Sequence, residues 1–258
     1  MLRFFRHIRK KLIEQNKIRT YIFYAIGEIL LVVIGILIAL QVNTWNENRI
    51  QRNQESHYLE KLTEEMNGIR EEAEYMLEFA ELQQKHARMV LESLQTGHMP
   101  DNATSGEMLI AIQHNGWAPH PNYVSTVWNE LKSTANLSLI QNRTITDQAG
   151  KIYASIDRIL SREDEWKDYN LEYRERAYEV LNPDIRFDII ELLRPNEILQ
   201  PYMNAPEAGP VIAQLQEMEH LQRLLTDIII TRRITILFMD ELVNDVDELI
   251  ATITQTKN

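Results

Sequence analysis

The sequence predicts an all-α protein: one N-terminal transmembrane helix followed by an up-down antiparallel helical bundle with long, coiled-coil-like helices. Three observations predict it. A twenty-residue apolar run, Tyr21 to Leu40, lies near the N-terminus. Three later stretches repeat apolar residues at alternating spacings of three and four, the rhythm of a helix with one narrow buried seam. Only 8 Gly and 8 Pro occur in 258 residues, too few for an all-β chain with many tight turns.

Charge divides the chain. Residues 1–20 hold seven of the 27 basic residues, among them Arg3, Arg6, Arg9, Lys10 and Lys11, and one of the 38 acidic ones. That segment carries +6 and the remainder −17, and no Lys or Arg lies between Arg19 and Arg49. The acidic bulk would repel a phosphate backbone, so nucleic acid is not an expected partner. There is no cysteine, which excludes disulfides, thiolate metal sites and thiol nucleophiles.

The apolar run contains a single charge, Glu28. Twenty helical residues span about 30 Å, the thickness of a hydrocarbon core. Tyr21 and Tyr24 stand at one end and Trp45 just past the other, where interfacial aromatic anchors are expected. The basic tail places the N-terminus inside and the rest outside. The expected organisation is a cytoplasmic tail (1–20), a transmembrane helix (21–44) and an extracytoplasmic helical domain (45–258). A cleaved signal peptide fits less well, because the charged region is long and no A-x-A site follows Leu40. In the tail, Leu2, Phe5, Ile8 and Leu12 share a helical face, as in a helix lying among anionic headgroups.

Tyr24–Ile29 (YAIGEI), Leu31–Gln41 (LVVIGILIALQ) and Trp45–Glu47 (WNE) resemble the N-terminal signature of a family of uncharacterised bacterial single-pass membrane proteins, a domain of unknown function. Glu130–Asn142 resembles a second stretch of that family. There Thr134-Ala135 stands where those proteins have Ser-Gly, which speaks against a tight glycine turn. The resemblance implies a bacterial inner-membrane topology and no activity.

In the outer domain the first seam runs Leu59, Leu62, Met66, Ile69, Ala73, Met76, Ala80, Gln83, Ala87, Val90, Leu94. A turn-rich break follows, holding a short helix at about 105–114 and a second helical piece at about 123–135. Thr144 and Asp147 fit a capping box for the next helix, whose seam includes Ile152, Ile156, Ile159, Trp166, Tyr173 and Ala177. Asn182-Pro183 ends it, and 188–193 forms a short helix at most. The last helix is expected to run unbroken from near Pro210, with Met218, Gln222, Leu225, Ile229, Ile236 and Met239 facing in.

Candidate sites are few. An ionisable group inside a span is a functional hypothesis by default, so Glu28 suggests proton or ion coupling. If the true span begins at Ile29, Glu28 is interfacial instead. Glu28, Leu31, Val32, Gly35 and Ala39 share one face, and Gly35-x-x-x-Ala39 is a small-residue packing motif that points to self-association. Seams through Glu163 and Arg232 place both at similar heights on neighbouring helices. They form a buried polar layer, or both snorkel to the surface. Glu217-x-x-His220 has di-iron ligand spacing but no second copy of the motif, so a solvated helix surface is expected. His114 and His120 flank a turn and could bind metal or sense pH, yet two histidines on a loop are a thin signal. The sequons at Asn136 and Asn142 read as chance. No HExxH, GxSxG or P-loop pattern occurs.

The function expected from this pattern is a non-enzymatic membrane-anchored scaffold or assembly partner without cofactor or metal. Such a protein would be self-associating, bound to anionic lipid, and open to a membrane-protein partner. The competing expectations are a ligand-sensing bundle that signals through a partner, since twenty inside residues hold no output domain, and a stator-like subunit using Glu28.

Overall fold

The structure, a computed structural model, describes residues 18–192 and 202–257. Among these residues every regular element is helical. The elements are α1 (Ile18–Thr96), α2 (Ser105–His114), α3 (Thr126–Ser133), a 3-10 turn (Asn136–Leu139), α4 (Arg143–Val180), α5 (Pro183–Leu192), α6 (Gly209–Gln216) and α7 (Leu221–Lys257). The chain forms two compact units, Met1–His57 and Tyr58–Asn258.

In the first unit, the early part of α1 is long and apolar enough to cross a membrane. Its most apolar window has a mean hydropathy of 2.6 and no part of that window is buried. Leu31 is 73% exposed and Val32 58%. A Cβ added at Gly35 would meet nothing within 4 Å, and Ala39 is exposed. Glu28 is partly covered, and Trp45 is exposed with the Arg49 guanidinium 5.7 Å from its ring. Tyr21 and Tyr24 belong to the same helix. Arg3, Arg6, Arg9, Lys10 and Lys11 lie outside the described residues.

In the second unit α1 buries one stripe. All eleven residues of the seam from Leu59 to Leu94 are buried, Gln83 included. Strict alternation of three and four keeps that stripe narrow and on one side. The helix stops at Gly97, whose φ of 78° turns the chain while its amide donates to the Ser93 carbonyl at 2.9 Å.

Hydrogen bonds set the direction of the returning chain. Gln83 reaches the carbonyls of His114 and Trp117, Glu72 the amide of Asn122, Glu65 the amides of Val127 and Trp128, and Tyr58 the side chain of Glu130. Partner numbers rise as α1 numbers fall, so this segment runs back along α1. The α4–α7 pair is antiparallel by the same test: Asn142 bonds Thr256, Gln148 bonds Glu248 and Arg232 bonds Glu163. α7 also opposes α1, through Arg70–Asp247 and Gln84–Ile229.

Local signals explain most helix starts. Thr104 and Glu107 form a complete capping box on α2. α4 begins one residue before Thr144: Asn142 is its cap and accepts from the Thr144 amide, which corrects the box expected at Thr144 and Asp147. α3 has no cap of its own, because Ser125 makes no capping bond. Glu65 on α1 supplies one instead, accepting from Val127 N–H at 2.7 Å and Trp128 N–H at 3.3 Å. The Tyr153 hydroxyl donates to the same carboxylate, and the Tyr153 ring stacks on Trp128 with centroids 5.2 Å apart. Burial raises the Tyr153 pKa, which keeps that hydroxyl a donor.

Two turns differ from expectation. Ala135 adopts φ 57°, so the turn after α3 is tight although no glycine occupies it. The last helix is not continuous: α6 ends at Gln216, His220 adopts φ 69°, and α7 starts at Leu221. The break advances the helical phase, so Leu221, Leu225 and Ile228 face in while Gln222 is exposed.

Removing Glu65 orphans the buried Trp128 amide, the half-buried Val127 amide and a hydroxyl. Glu65→Ala should lower unfolding free energy by about 1–3 kcal/mol. Glu64→Ala, on the exposed face, should change it by no more than about 0.5 kcal/mol. Urea midpoints of the two variants check this, and equal midpoints would remove Glu65 as the cap.

Candidate functional site: a polar belt between two apolar cores

The second unit has two apolar clusters rather than one. The first gathers Ala87, Val90 and Leu94 of α1 with α2, Tyr173 and Ala177 of α4, and Leu221 to Ile229. The second gathers Leu59 to Met76 of α1 with Trp128, Ile145 to Ile159 of α4, and Met239 to Ile253 of α7. Each chain segment therefore has a gap between its two contributions. The gaps hold Gln83 and His86; Gln113, His114 and Asn115; Glu163 and Asn170; and Thr231, Arg232 and Thr235. These are ten of the twelve buried polar or charged residues among the described ones, so polarity is concentrated in one belt.

The belt has a backbone cause. α2 ends at His114, inside the core, and the chain turns there. The last carbonyls of a helix have no partner within it, and buried carbonyls without donors are costly. The turn supplies two donors itself, Gly116 N–H to the Gln113 carbonyl and Trp117 N–H to that of His114, and side chains from two other helices add the others. Gln83 Nε2 donates to the His114 carbonyl at 2.7 Å and to that of Trp117 at 2.8 Å. Asn170 Nδ2 donates to the Asn115 carbonyl at 2.8 Å. Gly116 lets this turn press on α4: a Cβ there would stand 2.8 Å from the Arg174 Cβ.

The donors are themselves positioned by charge. Arg232 is fully buried and Glu163 is 6% exposed, so neither reaches the surface. Arg232 Nη1 donates to Glu163 Oε2 at 2.8 Å and Nη2 to Asn170 Oδ1 at 3.2 Å. The Thr235 hydroxyl donates to the other carboxylate oxygen of Glu163 at 2.5 Å. A continuous path therefore runs from Thr235 and Arg232 on α7, through Glu163 and Asn170 on α4, to the turn after α2. Satisfaction is incomplete, for Gln83 Oε1 and Arg232 Nε are buried without a hydrogen-bond partner.

A histidine pair completes the belt. His86 Nδ1 and His114 Nδ1 are 3.0 Å apart, and the rings meet edge to face. Phe79 and Trp117 flank the His114 ring at 4.8 and 5.6 Å. Burial, with some help from Lys85, lowers the His86 pKa from 6.5 to about 4, against a small opposing pull from Glu107. Burial, then His86, then Arg232 hold His114 well below the usual histidine range.

The other candidates are dispersed. His120 is exposed and does not join His114. Glu217 and His220 fall in the break between α6 and α7, so they do not share a helical face as that spacing requires. Among the described residues no group of three His, Asp or Glu suits a metal ion. Both sequon asparagines have structural tasks: Asn136 donates to Tyr58, and Asn142 caps α4. His86 was invisible to sequence reading as a partner of His114. Its only signal is a polar residue one step off the first seam, three places after Gln83.

No family model matches the chain, and no curated protein or solved structure matches it.

A buried charge stripped of its partner is costly, whereas replacing the whole pair by apolar groups is close to neutral. Glu163→Leu alone should therefore destabilise the full-length protein by about 3–5 kcal/mol in chemical denaturation. Adding Arg232→Leu should restore much of that loss. Neutral single variants would mean that the pair does not organise the belt.

Proposed function

We propose that the chain is a single-pass protein of the bacterial inner membrane whose outer helical unit acts as a non-enzymatic scaffold or assembly partner. The observation that carries this reading is an apolar helical segment with no protein cover, preceded by +6 and followed by −16. A side-chain surface of that kind is stable in lipid, and the charge step orients it with residues 1–20 in the cytoplasm and the acidic unit in the periplasm. The basic tail binds anionic headgroups, and Tyr21, Tyr24 and Trp45 mark the two interfaces. The resemblance of the N-terminal signature to a family of single-pass proteins supports the same reading.

The outer unit is read as an up-down antiparallel bundle: α1 outward, α2 and α3 back, α4 outward and α7 back. The hydrogen-bonded pairings along α1, α4 and α7 support that order. The face of Glu28, Leu31, Val32, Gly35 and Ala39 is assigned to self-association, because small residues let two helix backbones approach closely in lipid. Glu28 sits near the inner interface and takes part in no proton transfer on this reading. Co-purification after mild detergent extraction tests the role: a defined protein partner supports it, and a tightly bound small molecule in place of a partner would favour a sensor instead.

Topology follows from the charge step. A reporter fused after Asn258 should be active only if it is a type that works outside the cytoplasm. Activity of a cytoplasmic reporter at that position would overturn the orientation.

Self-association should depend on the small residues. Replacing Gly35 and Ala39 together by Leu should shift the protein toward monomer in analytical ultracentrifugation. An unchanged sedimentation profile would remove this face as the contact.

A further inference from the structure

The belt contains titratable groups that none of the proposed roles uses. His86 comes from near the C-terminal end of α1 and His114 from the last turn of α2, so their contact ties the end of α2 to α1. The tie is short and one-sided in its chemistry. A neutral imidazole carries one N–H and one lone pair, so an Nδ1 to Nδ1 contact at 3.0 Å needs one ring as donor and the other as acceptor. One added proton on the far nitrogen of the donor ring leaves this bond in place; once both rings are charged, two N–H groups face each other and the contact is lost. The surroundings do not help it to charge. Lys85 on α1 and Arg232 on α7 oppose protonation, and Arg174 of α4 lies against the neighbouring Gly116. Glu107 on α2 favours it weakly, and Glu163 of α4 is engaged by Arg232.

We propose that the His86–His114 pair is an acid-released latch that holds the end of α2 and the turn following it on α1. The residues it secures are the ones that join the helices: the His114, Asn115 and Trp117 carbonyls accept from Gln83 and Asn170. Releasing the turn leaves Gln83 and Asn170 without acceptors. It therefore loosens the link between α1, α4 and the end of α2, while the apolar cluster around Ile152 and Met239 stays packed.

The sign of the effect follows from burial. Both rings are neutral when folded, and their pKa values lie below that of an exposed histidine, His86 at about 4 against 6.5. The latch is complete above about pH 6.5 and is lost as the pH falls toward the folded values. It works in either orientation of the chain. A periplasmic location would expose it directly to external acid.

Hydrogen exchange on the full-length protein in detergent tests the latch. Protection of amides in residues 106–117 is compared with that in 145–156, corrected for intrinsic rates, between about pH 7.5 and about pH 4.5. The first segment should lose protection by about tenfold or more on acidification while the second keeps it. In the double variant His86→Asn with His114→Asn, amide atoms take the Nδ1 positions and cannot charge, so protection of 106–117 should no longer depend on pH. Persistent protection of that segment in the wild type at the lowest pH would overturn the latch, as would opening of the double variant at the wild-type pH. Should the double variant fail to fold, NMR titration of the wild-type histidine rings decides. Midpoints for His86 and His114 well below 6.5 that coincide with the loss of protection support the latch; ordinary midpoints with the segment still protected reject it.

Discussion

The second unit is organised by a helix that ends where water cannot reach it. α2 stops at His114 inside the core; the amides of the turn bond the Gln113 and His114 carbonyls, and the Asn115 and Trp117 carbonyls that follow need donors from other helices. Gln83 on α1 and Asn170 on α4 supply them. Asn170 can aim its amide only because its oxygen is held by Arg232, and Arg232 is tolerable in the interior only because Glu163 neutralises it. Each polar side chain in this sequence of contacts answers a demand created by the one before it, and the first demand comes from the backbone.

That arrangement trades stability for register. A belt of this kind adds little net stability over apolar packing, and buried atoms such as Gln83 Oε1 and Arg232 Nε remain without partners. What it contributes is alignment. An apolar stripe with a repeat of three and four fits its neighbour nearly as well after a slide of one heptad, whereas Arg232 fits only opposite Glu163 and Asn170. Glu65 works similarly at the other end of the return segment. It fixes α3 by capping it from another helix, and the stacked Trp128 and Tyr153 rings close over that contact.

The first unit obeys the opposite rule. Its helix keeps its polar backbone satisfied internally and presents Leu31, Val32 and their neighbours outward, so its stability does not need protein contacts. Lipid is the solvent that suits such a surface. Within α1 the side-chain pattern changes from apolar on all sides between Ile29 and Leu40 to apolar on one stripe from Leu59 onward.

Much of this was legible in the amino-acid order. Helical periodicity identified every seam residue of α1 from Leu59 to Leu94, because a buried stripe on a long helix leaves a regular imprint. The charge asymmetry and the apolar run were equally plain. Counting residues from the connecting loop put Glu163 and Arg232 at similar heights, since rise per residue is constant along helices. Local reading failed where the backbone left regular geometry. The left-handed turns at Ala135 and His220 carry no glycine to announce them, and the second moved Gln222 out of the seam. It failed also for groups whose role depends on another helix. Periodicity shows which face a residue occupies but not what lies across from it. Glu65 as the cap of α3, and His86 as the partner of His114, were decided only when the chain turned inside its own core and brought those faces together.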